Sequence, residues 1–527
     1  MARLAVAIVP AAFLGVFVVW PIGAVFVRSL EGVGLSRIME VAGRSSVQSV
    51  VAFTLIQALA SAALTLAIGL PVAAVLARFR FRGRSLVRAT MVVPFVLPTV
   101  VVASAISALF DRFGLDANRS LAAILAAHIL FNVAVVVRVV GGYWALADRR
   151  IEDAARVLGA GWWQRFRRIG LPRLMPVILT ASVVVFLFSF TSFGVIRILG
   201  GPGRATIETE IYRYAVNRAE FDVAAALAAL QLLVVVALAA VSAHLQRRVT
   251  GFRGGRSQPL ARPPAGWRQH LLLIGGLAIA AVVVVLPLGV LVERSLAVGD
   301  GYGIDHYRRL FVDGDLLPVS AIRALANSIW FAMAAMVIAS LVGLAAATTV
   351  ARGGMVGRAF EVLTLVPLGV SAVTLGFGYL VAFTVLDFRR SIWLVPLSHA
   401  VIGLPFVLAA VVPALRSIDP RLREAAATLG APPVVVHRRI DWPLIRTAAT
   451  TGAGFALAVS LGEFGATSFL ARGRNAFTAP LAVFRLMSQP GATLRGQAMA
   501  LSVIIGALVA LVAVIIERRR GEGVTLL

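Results

Sequence analysis

Carboxylates are the scarce reactive groups of this sequence: Asp and Glu number 24 against 50 for Lys plus Arg, and Cys is absent. Two clusters of them recur on one pattern. The first reads Glu152-Asp153-Ala154-Ala155, then three residues, Gly159 and, later, Pro172. The second reads Glu424-Ala425-Ala426, then three residues, Gly430 and Pro443. An acid in the first turn of a helix complements the positive end of its dipole. Glycine just past the helix end takes the left-handed angles that close it, and proline suits the first turn of the helix that follows. Each cluster therefore predicts a short helix, a turn and a second helix, with no catalytic group. A further acid, Glu463, interrupts an apolar run between Gly462 and Gly465. Such an acid faces a cavity or a partner, or caps a break in the helix. With its neutral counterpart Ser192 and the adjoining Phe193 and Phe464, it is a candidate for lining a solute path. Glu208, Glu210 and Asp222 fall between apolar runs, where they are expected to meet a protein docked on the surface. His128 and His399 read as packing and hydrogen-bonding partners, and no metal site is expected. The absence of Cys excludes thiol catalysis and Cys-ligated metals. No Lys occurs either, so a G-x-x-x-x-G-K-[ST] phosphate loop cannot be formed.

The elements that position these residues follow from composition. The chain of 527 residues is 60% apolar and only 14% charged, with a mean hydropathy of +0.92. Bilayer hydrocarbon is the solvent that suits it. At about 20 apolar residues per crossing, roughly twelve spans are expected. In the first half they run Ala5–Val27, Val50–Ala77, Ala89–Phe110, Leu121–Trp144, Leu174–Leu199 and Val223–His244. In the second they run Leu271–Leu291, Leu325–Ala351, Val362–Leu386, Trp393–Leu415, Thr447–Leu470 and Ala498–Ile516. The net charge of +26 falls mainly on alternate loops, among them Arg78 to Arg88, Arg149 to Arg173, Arg247 to Arg268, Arg416 to Arg446 and the tail Arg518 to Arg520. Clustering of this kind marks the cytoplasmic side. It predicts both termini in the cytoplasm, and no binding of nucleic acid.

The sequence is also duplicated. A shift of 271 positions carries His128 onto His399, Gly159 onto Gly430, Pro172 onto Pro443, and Phe193-Gly194 onto Phe464-Gly465. Nearer the start, Pro21 and Arg28 match Pro287 and Arg294. The expected organisation is a first half at 1–246, a basic cytoplasmic linker at 247–270 and a second half at 271–527. An even number of spans per half gives a parallel repeat, with a path at the interface between halves.

The two clusters, each followed by Ile-x-Leu-Pro or its variant Ile440-Asp441-Trp442-Pro443, resemble the coupling-loop signature of permease subunits of binding-protein-dependent ABC importers. Here Asp153 stands where that signature has Glu, and Trp442 where it has Leu. The resemblance implies an all-α polytopic membrane protein, type I permease-like, with twelve transmembrane helices in two parallel six-helix repeats. It implies a multi-pass place in the prokaryotic cell membrane among lipid, an ATP-binding subunit dimer seated on the two loops, and an extracytoplasmic solute-binding protein. ATP and Mg would sit on the partner ATPase, with no cofactor bound by this chain. The run Leu199-Gly200-Gly201-Pro202 to Phe221-Asp222 resembles the fused thiamine permeases, and Ser460-Leu461-Gly462-Glu463-Phe464-Gly465 is similar to both thiamine and ferric-iron members. Thiamine or a related cation is the expected solute, with ferric iron as the alternative. An ion-driven secondary carrier is the rival of another class, as it too uses twelve spans and a twofold repeat.

Overall fold

The computed structural model of the chain describes residues 2–30, 35–117, 119–146, 150–201, 203–250, 261–384, 391–471 and 473–519. Arg149, Pro202, Leu386, Arg520 and residues 251–260 of the expected linker lie outside them. The first half runs α1 (Ala7–Leu30), α2 (Ser45–Arg78), α3 (Arg84–Val96), α4 (Thr99–Arg112), α5 (Leu121–Leu146), α6 (Arg150–Val157), α7 (Trp163–Phe190), α8 (Gly194–Leu199), α9 (Ile207–Tyr212) and α10 (Phe221–Thr250). The second repeats that order as α11 (Trp267–Leu296), α12 (Ala321–Arg352), α13 (Gly354–Gly369), α14 (Ala372–Ala382), α15 (Leu394–Arg416), α16 (Pro420–Thr428), α17 (Val434–Leu461), α18 (Gly465–Leu470), α19 (Ala479–Met487) and α20 (Ala492–Arg519). The protein is all-α and polytopic.

Among the described residues, ten helices are long and apolar enough to cross a bilayer: α1, α2, α5, α7, α10, α11, α12, α15, α17 and α20. The twelve continuous spans expected from hydropathy are corrected to these ten and one broken segment in each half. Between α3 and α4 the axis turns by 108°. Pro98 forces Leu97 out of the helical region, to φ −62° and ψ 138°. The equivalent break between α13 and α14 places Val370 at ψ 127° and caps α14 with Ser371, which accepts from the Thr374 amide at 3.0 Å. The expected runs Leu174–Leu199 and Thr447–Leu470 also end early, at Phe190 and Leu461, leaving α8 and α18 as separate short helices.

Each half is built on a bundle, α2 with α5 and α7 in the first, α12 with α15 and α17 in the second. Their opening helices reach across to the other half: α1 packs on α12 and α14 as well as on α10 of its own half, and α11 on α2 and α4 as well as on α20. One contact explains how α1 is held. Pro21 has no N–H for the carbonyl of Phe17, four residues back. The helix widens into a π turn at Gly15–Val19, and Tyr379 of α14 donates its hydroxyl to Phe17 O at 2.8 Å. A second π turn, at Ala281–Val285, precedes Pro287 in α11.

Candidate coupling surface and solute pathway

The two acidic clusters form α6 and α16, each closed by the same pair of backbone bonds. Gly159 N donates to Arg156 O at 3.0 Å and Ala160 N to Ala155 O at 2.9 Å; Gly430 N donates to Ala427 O at 2.9 Å and Ala431 N to Ala426 O at 3.0 Å. This is a Schellman ending, and it holds the glycines at φ +83° and +76°. At the start of α16, Asp419 accepts from Arg421 N at 3.0 Å and Pro420 occupies the first turn. Glu152 and Asp153 lie in the first turn of α6. Glu424 and Ala425 are exposed, as is Ala154, while Ala155 and Ala426 are half-buried. Pro172 and Pro443 stand exposed where α7 and α17 begin their straight runs.

Both hairpins are tied to the spans, by different means. In the second half Arg423 Nε meets Asp441 Oδ1 at 2.8 Å, and His437 Nδ1 lies 3.5 Å from the same carboxylate. This links α16 to the foot of α17. In the first half those positions are Glu152 and Gly170, and Glu152 is met by Arg78 at 3.8 Å from the end of α2. The Arg78 guanidinium also lies over the Trp144 ring at 4.9 Å. At the tips, Leu158 and Leu429 are 87% and 88% exposed. These equivalent leucines were not singled out from the sequence. The signal was there, a Leu-Gly pair repeated at the end of two short charged helices. Exposed apolar side chains beside charged ones are what a partner surface would cover.

One crossing further along, and so at the opposite end of the bundles, the residues after α7 and α17 meet between the halves. Phe193 and Phe464 stack with ring centres 5.3 Å apart. Phe193 also meets Tyr212 at 5.5 Å, and Phe464 meets Phe484 at 5.5 Å. Ser192, Phe193 and Phe464 are all buried. Gly194 is required here, since a Cβ at that position would lie 2.2 Å from Thr99 Oγ1.

Glu463 is buried at the break between α17 and α18. Its Oε1 accepts from Ala466 N at 2.8 Å and its Oε2 from Thr467 N at 2.9 Å and from the Thr467 hydroxyl. His399 Nε2 lies 3.1 Å from the same oxygen, and the other ring nitrogen pairs with Ser460 Oγ at 2.8 Å. The carboxylate therefore caps the broken helix and pairs with a histidine, with both oxygens occupied. In the first half His128 Nδ1 pairs instead with Ser61 Oγ at 2.9 Å.

The three acids expected at a docking surface separate. Glu208 and Glu210 are 0% and 5% exposed, and this corrects their expected surface role. The segment between α7 and α10 folds inward as α8 and α9. There Gln231 donates to Glu208, and Arg213 donates to Glu210. Asp222 remains exposed, 3.1 Å from Arg28 Nε.

Comparison with known proteins agrees with this duplicated arrangement. A family model described as binding-protein-dependent transport system inner membrane component matches residues 66–251 and 315–520, one stretch in each half. The thiamine transport system permease protein ThiP of Brucella abortus (strain 2308) is 28% identical over 499 residues, covering 88% of this chain and 86% of that protein. The probable ABC transporter permease protein y4fN of Sinorhizobium fredii (strain NBRC 101917 / NGR234) is 25% identical over 439 residues, 76% of each chain. The sulfate transport system permease protein CysT of Escherichia coli (strain K12) is 27% identical over 255 residues, which is 92% of that protein and 45% of this chain.

Proposed function

Since the chain belongs to the family of binding-protein-dependent transport system inner membrane components, and is the permease subunit of an ABC importer, we propose that it carries thiamine or a closely related organic cation. In this reading α6 and α16 couple it to ATP hydrolysis on a separate subunit. The likeness to the thiamine permease extends over nearly the whole of both chains. For coupling, the observation that carries most weight is the pair of exposed leucines, Leu158 and Leu429, at the tips of two equivalent helices.

An ATPase dimer seats one subunit on each hairpin, holding ATP and Mg itself. Its closure moves α6 and α16. The Arg423–Asp441 and Arg78–Glu152 contacts pass that movement to α17 and α2, and the halves part where Phe193 meets Phe464. A separate binding protein delivers solute at that end. The Arg-rich loops, both hairpins and both termini then face the cytoplasm, with the linker at 247–270 between halves 1–246 and 271–527.

The test is reconstitution of the chain with its ATPase and binding protein in vesicles, followed by uptake of labelled thiamine. ATP-dependent uptake is expected. Uptake that persists without ATP and follows an ion gradient would overturn the importer mechanism. ATP-dependent uptake of ferric iron in place of thiamine would overturn the solute.

A further inference from the structure

Arg197, on α8, is half-buried and has no carboxylate within ion-pair distance among the described residues. Its guanidinium lies instead over two aromatic rings, 4.9 Å from the centre of Tyr212 and 5.2 Å from that of Phe484. Tyr212 belongs to the first half and Phe484 to the second, so the cation bridges the halves. Tyr212 also meets Phe469 edge-on at 5.2 Å, and Phe484 touches the Phe193–Phe464 stack through Phe464. A planar, weakly hydrated cation between two π faces is held by the rings' negative faces. An anion brought to the same place would meet both of those faces unfavourably.

The arrangement also breaks the repeat. The shift of 271 positions that carries Phe193 onto Phe464 places Ser468 opposite Arg197, whereas α9 and α19, capped alike by Thr206 and Thr478, put Tyr212 and Phe484 at one equivalent position, so the two rings are matched and the cation alone is one-sided. Among the described residues one guanidinium lies over a ring from each half, beside the line where the halves meet.

The geometry points to this place as the seat of the transported solute, a flat, singly charged organic cation, which the Arg197 guanidinium fills while the halves are closed. This rests on the reading of the chain as an importer of a thiamine-like cation, and names the residues that recognise it. When the halves part, Tyr212 and Phe484 move with opposite halves and the guanidinium loses one of its two faces. The delivered cation takes that face. When the halves close again, Arg197 returns to the seat and its charge opposes backward binding.

The test is equilibrium binding to the purified full-length chain in lipid nanodiscs, with thiamine, N-methylthiazolium and sulfate as probes. Arg197→Gln, which empties the seat, is expected to bind both cations at least about tenfold more tightly than the unchanged protein, as loss of one cation–π competitor implies. Adding Phe484→Leu should abolish the gain, and Phe484→Tyr, which keeps a ring, should preserve it. The seat is overturned if Arg197→Gln binds neither cation more tightly, if loss of the Phe484 ring changes nothing, or if sulfate binds in an Arg197-dependent way. N-methylthiazolium following the pattern without thiamine would uphold the seat and remove thiamine as the solute. Thiamine uptake by the complete transporter, with neither cation tracking the substitutions, would remove the seat and leave the transport reading intact.

Discussion

Phe193 and Phe464, the same position in the two halves, stack at 5.3 Å with ring planes 27° apart, and neither residue is more than 5% exposed. Each follows a helix that breaks at the same place in its half, α7 at Phe190 and α17 at Leu461. Contact at this level is thus a property of the repeat, made by two copies of one residue meeting across the pseudo-twofold relation.

Phe464→Ala should loosen that contact. The ring pair contributes ~0.5–1.5 kcal/mol beyond simple burial, a shift of roughly 2- to 13-fold in the balance between closed and parted halves. In vesicles with the ATPase, hydrolysis without solute is expected to rise by a factor in that range. A basal rate equal to that of the unchanged transporter would mean the stack does not hold the halves together.

Glu463→Gln should act first on stability. The amide replaces one of the two accepting oxygens by a donor, set either against Ala466 N or against Thr467 N and its hydroxyl, and leaving a buried donor without an acceptor costs ~1–3 kcal/mol. The thermal midpoint of the purified chain in detergent is expected to fall. If the midpoint holds while thiamine uptake drops, the carboxylate acts on the solute and its capping role is secondary.

Gly159→Val combined with Gly430→Val forces side chains into left-handed backbone, at roughly 1–2 kcal/mol for each residue. Both sites are exposed turns, so insertion should be unaffected while uptake is lost. Full uptake by the inserted double variant would refute a coupling role for the two turns.

Leu158→Asp combined with Leu429→Asp tests the tips directly. At 87% and 88% exposure the leucines contribute little to the fold, so stability should stay within about ±0.5 kcal/mol. Co-purification of the ATPase subunit should be lost. Retention of a stoichiometric ATPase would place its binding surface elsewhere.

Arg423→Asp sets a second carboxylate against Asp441, whose side chain is 14% exposed, and should lower stability somewhat while uncoupling hydrolysis from uptake. Joining it with Asp441→Arg restores the attraction in reversed polarity, and uptake per ATP should recover. A double variant no better than the single one would show that the contact does not transmit movement.

The sequence made the duplication and both hairpins legible because each rests on local pattern: Gly and Pro at fixed spacing, and acids at a helix start. It did not reveal the broken third segment of each half, since hydropathy averages across Pro98 and reports an apolar run whether or not the axis turns. Glu208 and Glu210 were misplaced for a related reason. A segment between two spans looks like a surface loop, and only tertiary packing shows α8 and α9 turning inward so that Gln231 and Arg213 satisfy the acids. The clasp of Tyr379 on Phe17 joins positions 362 residues apart. Pro21 announced a freed carbonyl, and nothing local named the hydroxyl that takes it.

The reach of α1 and α11 across to the other half has a consequence for how the molecule is made. As synthesis proceeds from the N-terminus, α11 can cover α2 and α4 only once residue 296 has been added, and α1 waits longer still for α12 and α14. Neither half completes its packing from its own residues alone. Joining them in one polypeptide ensures that each waiting face meets its arm in one-to-one supply and in a set order, which two separately made chains would have to find by diffusion.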